Sequence, residues 1–297
     1  MSKEVRPLVF FGTPEPAAFV LKKLLEANYS IAHVVTRKDA RRGRGGQTSG
    51  SPVKVVAQSH GIEVSHDLEW IRRNAHLNFL GIVVAYGRII PVEVLDVTPM
   101  INVHFSLLPR WRGAAPVERA ILAGDDVTGV CIMDLEETLD TGPVHACREV
   151  PLTNAHTSAT LLQELTEVGS DLLIELLTRG LSTATPQMGD ATYAAKISPS
   201  ELRIDWNESA EVIHRKIRAL RSFTSIDGQR LRILEADLSL ESNAAKPGRC
   251  SDEGVVAAGE GCLVLRRVQP EGKNPMDAVA WLRGRSAGGL QFDVNAE

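Results

Sequence analysis

The fold of this chain is set near its start by residues 8–35, which read LVFFGTPEPAAFVLKKLLEANYSIAHVV. Residues 8–11 are apolar and short enough for a buried strand, and a turn with Gly12 follows them. Residues 17–25 then repeat apolar side chains at helical spacing, and residues 31–35 form a second apolar run. Strand, glycine turn, helix and strand in this order predict the opening of an open α/β sheet.

The turn at Gly12 lacks the glycine pattern of a nucleotide-binding loop. No GxGxxG follows the first strand, and the chain contains no GK[ST] phosphate loop. In each of these two loop types, glycines let backbone N–H groups approach the phosphates of a nucleotide closely. We therefore expect a Rossmann-like sheet, but not a dehydrogenase.

The strand and helix pattern of the first domain continues beyond this opening and changes after Gly180. Residues after this point are loop-like and then alternate a short helix with short strands, separated by Gly- and Asn-rich turns. We predict an α/β domain over residues 1–189, with a Rossmann-like, mostly parallel sheet and helices on both faces. A linker over residues 190–207 and a small C-terminal β-barrel (OB-like) domain over residues 208–297 follow.

The composition is that of an ordinary globular protein. The chain has 297 residues, 43% hydrophobic and 24% charged, with a net charge of −4, so no global signature of a nucleic-acid binder is present. No apolar run reaches membrane-spanning length and the start has no signal-peptide layout, so we expect a cytoplasmic protein. The cysteines have no metal-type spacing, and we expect reduced, buried thiols at Cys131, Cys147, Cys250 and Cys262.

Three polar residues at predicted strand ends suggest acyl-transfer chemistry. Asn102 and His104 alternate along one strand, so their side chains share a face, and Asp140 follows the next strand. Ligands of open α/β sheets bind beyond the carboxyl ends of strands. An amide N–H can stabilise a developing oxyanion, and an imidazole oriented by a carboxylate can move a proton.

These residues also have simpler interpretations. A single histidine near a strand end is more often structural than catalytic. Residues 140–142 spell the aspartic-protease triplet DTG, but that chemistry needs two carboxylates sharing a proton, and the triplet occurs once in this chain.

A basic, glycine-rich segment spans residues 36–50. It holds five cations against one acid, Asp39, and its glycines predict an exposed loop. Such a loop is either a solvated surface or an arm that binds the phosphates of a polyanion.

Residues 102–116, NVHFSLLPRWRGAAP, closely resemble the active-site signature of the 10-formyltetrahydrofolate-dependent formyltransferases. The likeness continues at residues 11–14 (FGTP), 51–54 (SPVK), 84–87 (VAYG), 128–130 (TGV), 139–142 (LDTG), 268–273 (VQPEGK) and 275–276 (PM). It therefore extends over nearly the full length of the chain.

The resemblance implies a fold, a reaction and a set of site residues. The fold is a Rossmann-like catalytic domain with a C-terminal β-barrel that binds tRNA. The reaction transfers the formyl group of 10-formyltetrahydrofolate to initiator methionyl-tRNA for translation initiation. We expect no metal cofactor, and a monomer. The implied catalytic residues are Asn102, His104 and Asp140. The implied folate-binding residues are Val84, Ala85, Tyr86, Gly87, Ser106, Leu107, Leu108 and Pro109. The implied tRNA-binding residues are Arg37, Lys38, Arg41, Arg42, Arg44, Arg215, Lys216 and Arg218.

Two positions depart from the family pattern. Phe105 stands where the family has glycine or another compact residue, and residues 221–226 replace an aromatic-proline turn. A bulky ring beside the strand end either shifts His104 or points away into the core. Two alternative functions stay open at this point. The acceptor could be an amino-sugar nucleotide or glycinamide ribonucleotide, or the chain could be a catalytically impaired folate- or RNA-binding protein.

Overall fold

The computed structural model describes residues 6–41, 48–181, 183–240, 245–285 and 289–294. By their internal contacts the residues separate into two compact units. The first unit comprises Met1–Pro116, Val127–Pro151 and Thr160–Ala195. The second comprises Lys196–Glu297 together with two earlier segments, Val117–Asp126 and Leu152–Ala159.

The first unit contains one seven-stranded sheet and two separate pairs of short strands. Its strands in chain order are β1 (Leu8–Gly12), β2 (Ile31–Val35), β3 (Ala40–Arg41), β4 (Thr48–Ser49), β5 (Val64–Ser65), β6 (Leu80–Val84), β7 (Met100–His104), β8 (Arg112–Gly113), β9 (Val127–Asp134), β10 (Val144–Pro151) and β11 (Tyr193–Ala194). The sheet order is β10-β9-β7-β6-β1-β2-β5, while β3 pairs with β4 and β8 with β11. Strands β7, β6, β1, β2 and β5 are parallel to one another. Strand β9 pairs antiparallel with both β7 and β10.

Helices connect these strands. They are α1 (Glu15–Glu26), α2 (Pro52–Ser59), α3 (Glu69–Asn74), α4 (Val92–Leu95), α5 (Pro116–Ala123) and α6 (Ser158–Arg179), with a 3₁₀ turn at Ala75–Leu77. Ile71 of α3 and Val94 of α4 pack with Met100 on one face of the sheet, whereas Gly169 of α6 faces Val103 on the other. In the described ranges no helix is long and apolar enough to cross a membrane.

The central strands are buried along their whole length because helices cover both faces. Strands β1, β6 and β7 each have five consecutive buried residues, as expected for a parallel sheet. Gly12 allows α1 to leave β1 closely, since a Cβ there would lie 2.6 Å from the Cβ of Ala17. The predicted fold class is confirmed for this unit.

The expectation of reduced thiols is wrong for one pair. Cys131 on β9 and Cys147 on β10 are directly opposite each other in the antiparallel register, with Cα atoms 4.1 Å apart, and they form a disulfide. The pairing depends on strand neighbours that residue spacing does not reveal. Cys250 and Cys262 are buried and form no disulfide, as expected, and burial raises the pKa of the Cys250 thiol to about 12.

The second unit is an antiparallel, barrel-like sheet. Its strands are β12 (Phe223–Ile226), β13 (Gln229–Ser239), β14 (Arg249–Cys250), β15 (Val255–Ala257), β16 (Cys262–Pro270), β17 (Met276–Asp277) and β18 (Leu290–Gln291), with helices α7 (Ala210–Ala219) and α8 (Ala278–Arg283) and a 3₁₀ turn at Pro199–Leu202. The order is β12-β13-β16-β15-β14-β18, with β17 added to β16. The N–H of Asp293 donates to the carbonyl of Ser225 at 3.0 Å, which brings the two ends of the sheet together. This confirms the predicted barrel class.

The core of the second unit is aromatic at its centre. Trp206 stacks on Phe292 at 5.3 Å between ring centroids, and Phe292 in turn lies against Trp281 at 6.5 Å. The indole N–H of Trp206 donates to the hydroxyl of Thr224 at 2.9 Å, so its polar group is satisfied although the residue is fully buried.

Candidate active site

The candidate active site begins at the carboxyl end of β7. Asn102 and His104 are two residues apart on this strand, so their side chains share a face. The strand rise places their Cα atoms roughly 6.6 Å apart. Both are buried, with 9% and 6% of their surface exposed. Strand β7 has a parallel neighbour on one side and an antiparallel neighbour on the other. The edge where the parallel strands end is the usual ligand site of such sheets.

His104 is oriented by two contacts. Its Nε2 lies 3.0 Å from the carbonyl oxygen of Trp111, and its Nδ1 lies 3.7 Å from Oδ2 of Asp140. Because a carbonyl oxygen only accepts, we assign the Nε2 proton to the bond with Trp111. Nδ1 is then the nitrogen of the neutral ring without a proton, and it faces the Asp140 carboxylate.

Asp140 is fixed by the loop after β9. It is 7% exposed, and its Oδ2 accepts a hydrogen bond from the N–H of Gly113 at 2.7 Å. Its φ of 52° lies in the left-handed region, which non-glycine residues rarely adopt. Gly142 is required by close packing, since a Cβ there would lie 2.0 Å from the carbonyl oxygen of Asp134. The structure therefore brings Asp140 to His104, as the sequence predicts.

The Asn102 amide is the free hydrogen-bonding group of the site. Among the residues that the structure describes, no hydrogen bond of its side chain is found, although only 9% of the residue is exposed. Its amide atoms are not among the fully buried atoms without a partner, so they face open space. An accessible amide at a strand end beside His104 is positioned to bind a ligand.

Residues 105–114, here called the motif loop, follow β7. Ser106 is fully buried and its hydroxyl donates to the carbonyl of Arg110 at 2.6 Å, so it shapes the loop. Leu107, Leu108 and Pro109 are half-buried, and the peptide bond before Pro109 is cis.

The segment after β6 exposes backbone groups. Ala85 and Gly87 have positive φ values of 43° and 72°, which turn the chain sharply. Tyr86 between them is buried, its ring packs edge-on against Phe11 at 5.7 Å, and burial raises the pKa of its phenol. Over the described part of the chain, the peptide N–H groups of residues 86–89 have no backbone acceptor. These groups are open to a ligand with amide-like edges.

Phe105 does not separate His104 from its partners. The ring is buried, with 8% of the residue exposed, and His104 keeps its contacts with Trp111 and Asp140. Of the two outcomes expected for this position, burial fits the structure.

Sequence reasoning missed a second segment that reaches the site, residues 185–194, here called the strap. Within the strap, the side chain of Gln187 donates to the carbonyls of Asp140 and Gly142 and accepts from Arg112. Its Thr192 hydroxyl accepts from the N–H of Trp111 at 2.9 Å. The sequence predicts a loop here and, from residue 190, a linker. Residues 185–194 read TPQMGDATYA, and nothing in this pattern distinguishes Gln187 and Thr192 from ordinary loop residues.

The predicted tRNA-binding cations differ in their surroundings. Arg37 and Lys38 are exposed after β2. Arg42, Arg44 and the side chain of Arg41 lie outside the described residues. Lys216 is 15% exposed and pairs with Glu208 at 3.1 Å, and Arg215 is half-buried.

The prediction for Arg218 does not fit the structure. Only 8% of the residue is exposed, and its guanidinium donates to the carbonyls of Thr153 and His156 and to the side chain of Asn154. Its amphipathic helix turns this side inward, which a count of basic residues does not reveal. Arg218 is a structural cation of the second unit.

No metal centre is found within the described residues, since no cluster of three or more His, Cys, Asp or Glu residues there could hold an ion.

Comparison with known proteins identifies relatives along the whole chain. The family described as formyl transferase matches residues 5–177, and its C-terminal domain matches residues 196–286. A methionyl-tRNA formyltransferase of Symbiobacterium thermophilum is 44% identical, covering 96% of this chain and 93% of the relative. One of Ruegeria pomeroyi is 40% identical, covering 93% and 96%.

Solved structures share the fold at lower identity. An N-formyltransferase from Helicobacter canadensis, in complex with folinic acid and dTDP-3-aminofucose, has a TM-score of 0.69 and 18% identity, over 89% of this chain and 98% of that one. HypX from Aquifex aeolicus with tetrahydrofolic acid has a TM-score of 0.65 and 18% identity over 94% of this chain, which spans about half of HypX (47%). These structures show the shared fold, while the family models and the relatives of similar length show that the chain belongs to the formyl transferase family.

Proposed function

We propose that this protein transfers the formyl group of 10-formyltetrahydrofolate to the α-amino group of initiator methionyl-tRNA, giving the N-formylmethionyl-tRNA used in translation initiation. The observation that supports this most directly is the buried group of Asn102, His104 and Asp140, in which the Asn102 amide is free to bind a carbonyl oxygen. The relatives of similar length support the choice of acceptor.

Each of the three side chains has a distinct role in this reaction. The transfer forms a bond from the amine nitrogen to the formyl carbon and breaks the bond from that carbon to N10 of the folate. Asn102 donates an N–H to the oxyanion that develops on the formyl carbonyl. Nδ1 of His104 accepts the proton that the amine loses. The imidazole then returns a proton to N10 of the folate, so the proton count balances. Asp140 stabilises the imidazolium between these two transfers.

The proposed folate site combines residues 84–87 with residues 106–109. A pteridine ring has amide-like donors and acceptors along one edge. The unpaired peptide N–H groups of residues 86–89 match such an edge, and the half-buried Leu107 and Leu108 supply an apolar wall. The residues present therefore fit a folate-type co-substrate.

The acceptor is distinguished by degree of relatedness. Relatives named methionyl-tRNA formyltransferase share 40–44% identity over more than nine-tenths of this chain and theirs. The N-formyltransferase of Helicobacter canadensis, solved in complex with dTDP-3-aminofucose, shares the fold at 18% identity. A tRNA acceptor is thus better supported than an amino-sugar nucleotide.

Exposed cations in both units supply candidate contacts for tRNA phosphates. Arg37 and Lys38 lie beyond the carboxyl end of β2 in the first unit. In the second unit Arg221 and Arg230 are exposed, and burial together with repulsion from these two lowers the pKa of the half-buried Arg232. A phosphate beside these groups would relieve their repulsion.

The test is a formyl-transfer assay with three acceptors. Methionyl-tRNA, glycinamide ribonucleotide and an amino-sugar nucleotide are each incubated with labelled 10-formyltetrahydrofolate and the full chain. We expect folate-dependent product with the tRNA alone. Absence of product with charged initiator tRNA, or faster transfer to either small acceptor, would contradict the proposal.

The salt dependence of tRNA binding tests the phosphate contacts separately. Replacing both Arg37 and Lys38 by Ala should reduce the slope of log K against log[salt] by about 1 for each lost contact. The matched control is Lys22→Ala with Arg179→Ala, which removes two cations of the same types from α1 and α6. The proposal also includes a cytoplasmic location and a monomeric state. Light scattering at assay concentration would check the monomeric state.

A further inference from the structure

The side-chain amide of Gln187 uses all of its hydrogen-bonding capacity at the candidate active site. Its Nε2 donates to the carbonyl oxygen of Asp140 at 2.9 Å and to that of Gly142 at 2.8 Å. Its Oε1 accepts from Nε of Arg112 at 3.0 Å and from Nη2 of Arg112 at 2.7 Å. An amide has two donors and two acceptor sites, so none is left over for a ligand.

These four bonds join the two chain segments that determine the position of the Asp140 carboxylate. One is the loop of Asp140 itself, whose backbone is held at a φ of 52°. Non-glycine residues rarely adopt this left-handed conformation, so the surrounding contacts have to hold it. The other is β8, where Gly113 follows Arg112 and its N–H binds Oδ2 of Asp140 at 2.7 Å. Gln187 thus holds the carbonyl of Asp140 and the element that binds its carboxylate.

The strap that carries Gln187 is anchored independently of this side chain. Before Gln187, Thr185 and Val144 exchange two backbone hydrogen bonds, at 2.8 and 2.9 Å. After it, β11 pairs with β8, and the N–H of Arg112 donates to the carbonyl of Thr192 at 2.9 Å. Loss of the Gln187 side chain therefore leaves the strap attached at both ends.

We propose that Gln187 is a positioning residue for formyl transfer, which fixes the Asp140 carboxylate beside Nδ1 of His104 through the Asp140 and Gly142 carbonyls. The inference rests on the proposed function. Asp140 Oδ2 is 3.7 Å from Nδ1, so a small displacement decides whether it stabilises the charged ring. A misplacement of about 1 Å at a reacting centre costs on the order of 100-fold in rate.

The kinetic test compares Gln187→Leu with wild type. This change removes all four hydrogen bonds and preserves most of the side-chain volume. We expect kcat to fall about 100-fold while KM for methionyl-tRNA and for the folate changes less than about threefold, since the Gln187 amide uses its hydrogen-bonding groups within the protein. Gln187→Glu, which keeps the acceptors for Arg112 but faces two carbonyls with a carboxylate, should lose as much. Gln163→Leu, the same change on the exposed surface of α6, should behave as wild type.

A double-mutant cycle separates positioning from a merely structural role. If Gln187 acts through Asp140, Gln187→Leu should lower kcat by less than about threefold once Asp140→Asn is present. A structural role would give the same fold-loss in both backgrounds. Equal losses in both backgrounds would overturn the inference.

Amide hydrogen exchange tests the same inference without using turnover. The Gly113 N–H is protected by Oδ2 of Asp140, so Gln187→Leu should speed its exchange at least about tenfold, with Gln163→Leu as control. Unchanged protection at Gly113 would overturn the positioning role even if the variant were slow. Failure of wild type to formylate methionyl-tRNA would instead contradict the proposed function, and the exchange result would still decide on the contact.

Discussion

The motif loop and the strap reach the same site, but only the motif loop has a recognisable sequence signature. The motif loop follows β7 directly, and the end of β7 and the loop together carry the continuous signature of residues 102–116. The strap comes from a stretch about 80 residues later along the chain, as the separation of 81 between Trp111 and Thr192 shows. It reaches the site with one side-chain amide, that of Gln187, and one side-chain hydroxyl, that of Thr192. Single polar side chains outside a recognisable motif leave little trace in the sequence.

The two segments nevertheless explain each other. Gly113 of the motif loop has a φ of 118°, and a Cβ there would lie 2.9 Å from the carbonyl oxygen of Ala194 in the strap. The need for glycine in the motif is thus partly a consequence of the strap. The comparison predicts large effects on catalysis for motif side chains and smaller ones for strap side chains that act through the motif.

Replacing His104 by Ala should have the largest effect. It removes the group that moves the proton, and we expect kcat to fall by about 10²–10⁴-fold in the formyl-transfer assay. His60→Ala, at the exposed end of α2, is the control. Near-normal turnover of the His104 variant would show that the ring is structural and would break the comparison at its strongest point.

Replacing Asn102 by Asp should come next. The change keeps the size of the side chain but replaces the N–H donor with an oxygen, so the oxyanion loses its hydrogen bond and meets a negative charge. We expect a loss of at least about 10²–10³-fold in kcat, measured at saturating folate and tRNA. A loss confined to KM would mean that Asn102 binds ground state and transition state equally.

Replacing Thr192 by Val tests the strap. The N–H of Trp111 would lose its acceptor, at a cost of about 1–3 kcal/mol, and the Trp111 carbonyl that orients His104 would be held less firmly. We expect kcat to fall about tenfold, with Thr178→Val on α6 as the control. A loss as great as that of the Asn102 variant would show that the strap is as important as the motif.

Replacing Phe105 by Gly should have the smallest effect on turnover. Because the ring is buried and His104 keeps its partners, we expect kcat within about threefold of wild type and a free energy of unfolding lower by about 3–5 kcal/mol. Denaturant unfolding and the transfer assay together check this. A rise in turnover by orders of magnitude would mean that Phe105 impairs the native site.

Local sequence features predicted much of the molecule. The alternation along β7 places Asn102 and His104 on one face, and the strand, turn and helix of residues 8–35 begin the parallel sheet. These predictions succeed because strand and helix periodicity depends on neighbouring residues. The resemblance of residues 102–116 and 139–142 to a formyltransferase signature added the link from His104 to Asp140.

The tertiary structure decided what depends on residues far apart in the chain. It joined Cys131 to Cys147 through strand register, turned Arg218 inward against residues 153–156, and brought Gln187 to Asp140 across 47 residues. Nothing in the local sequence distinguishes these residues from a free thiol, a surface cation or a loop amide. Their roles are fixed by which segments pack together, and that packing is a property of the whole fold. The sequence alone determined the chemistry of the site, and the tertiary structure determined how that chemistry is held in place.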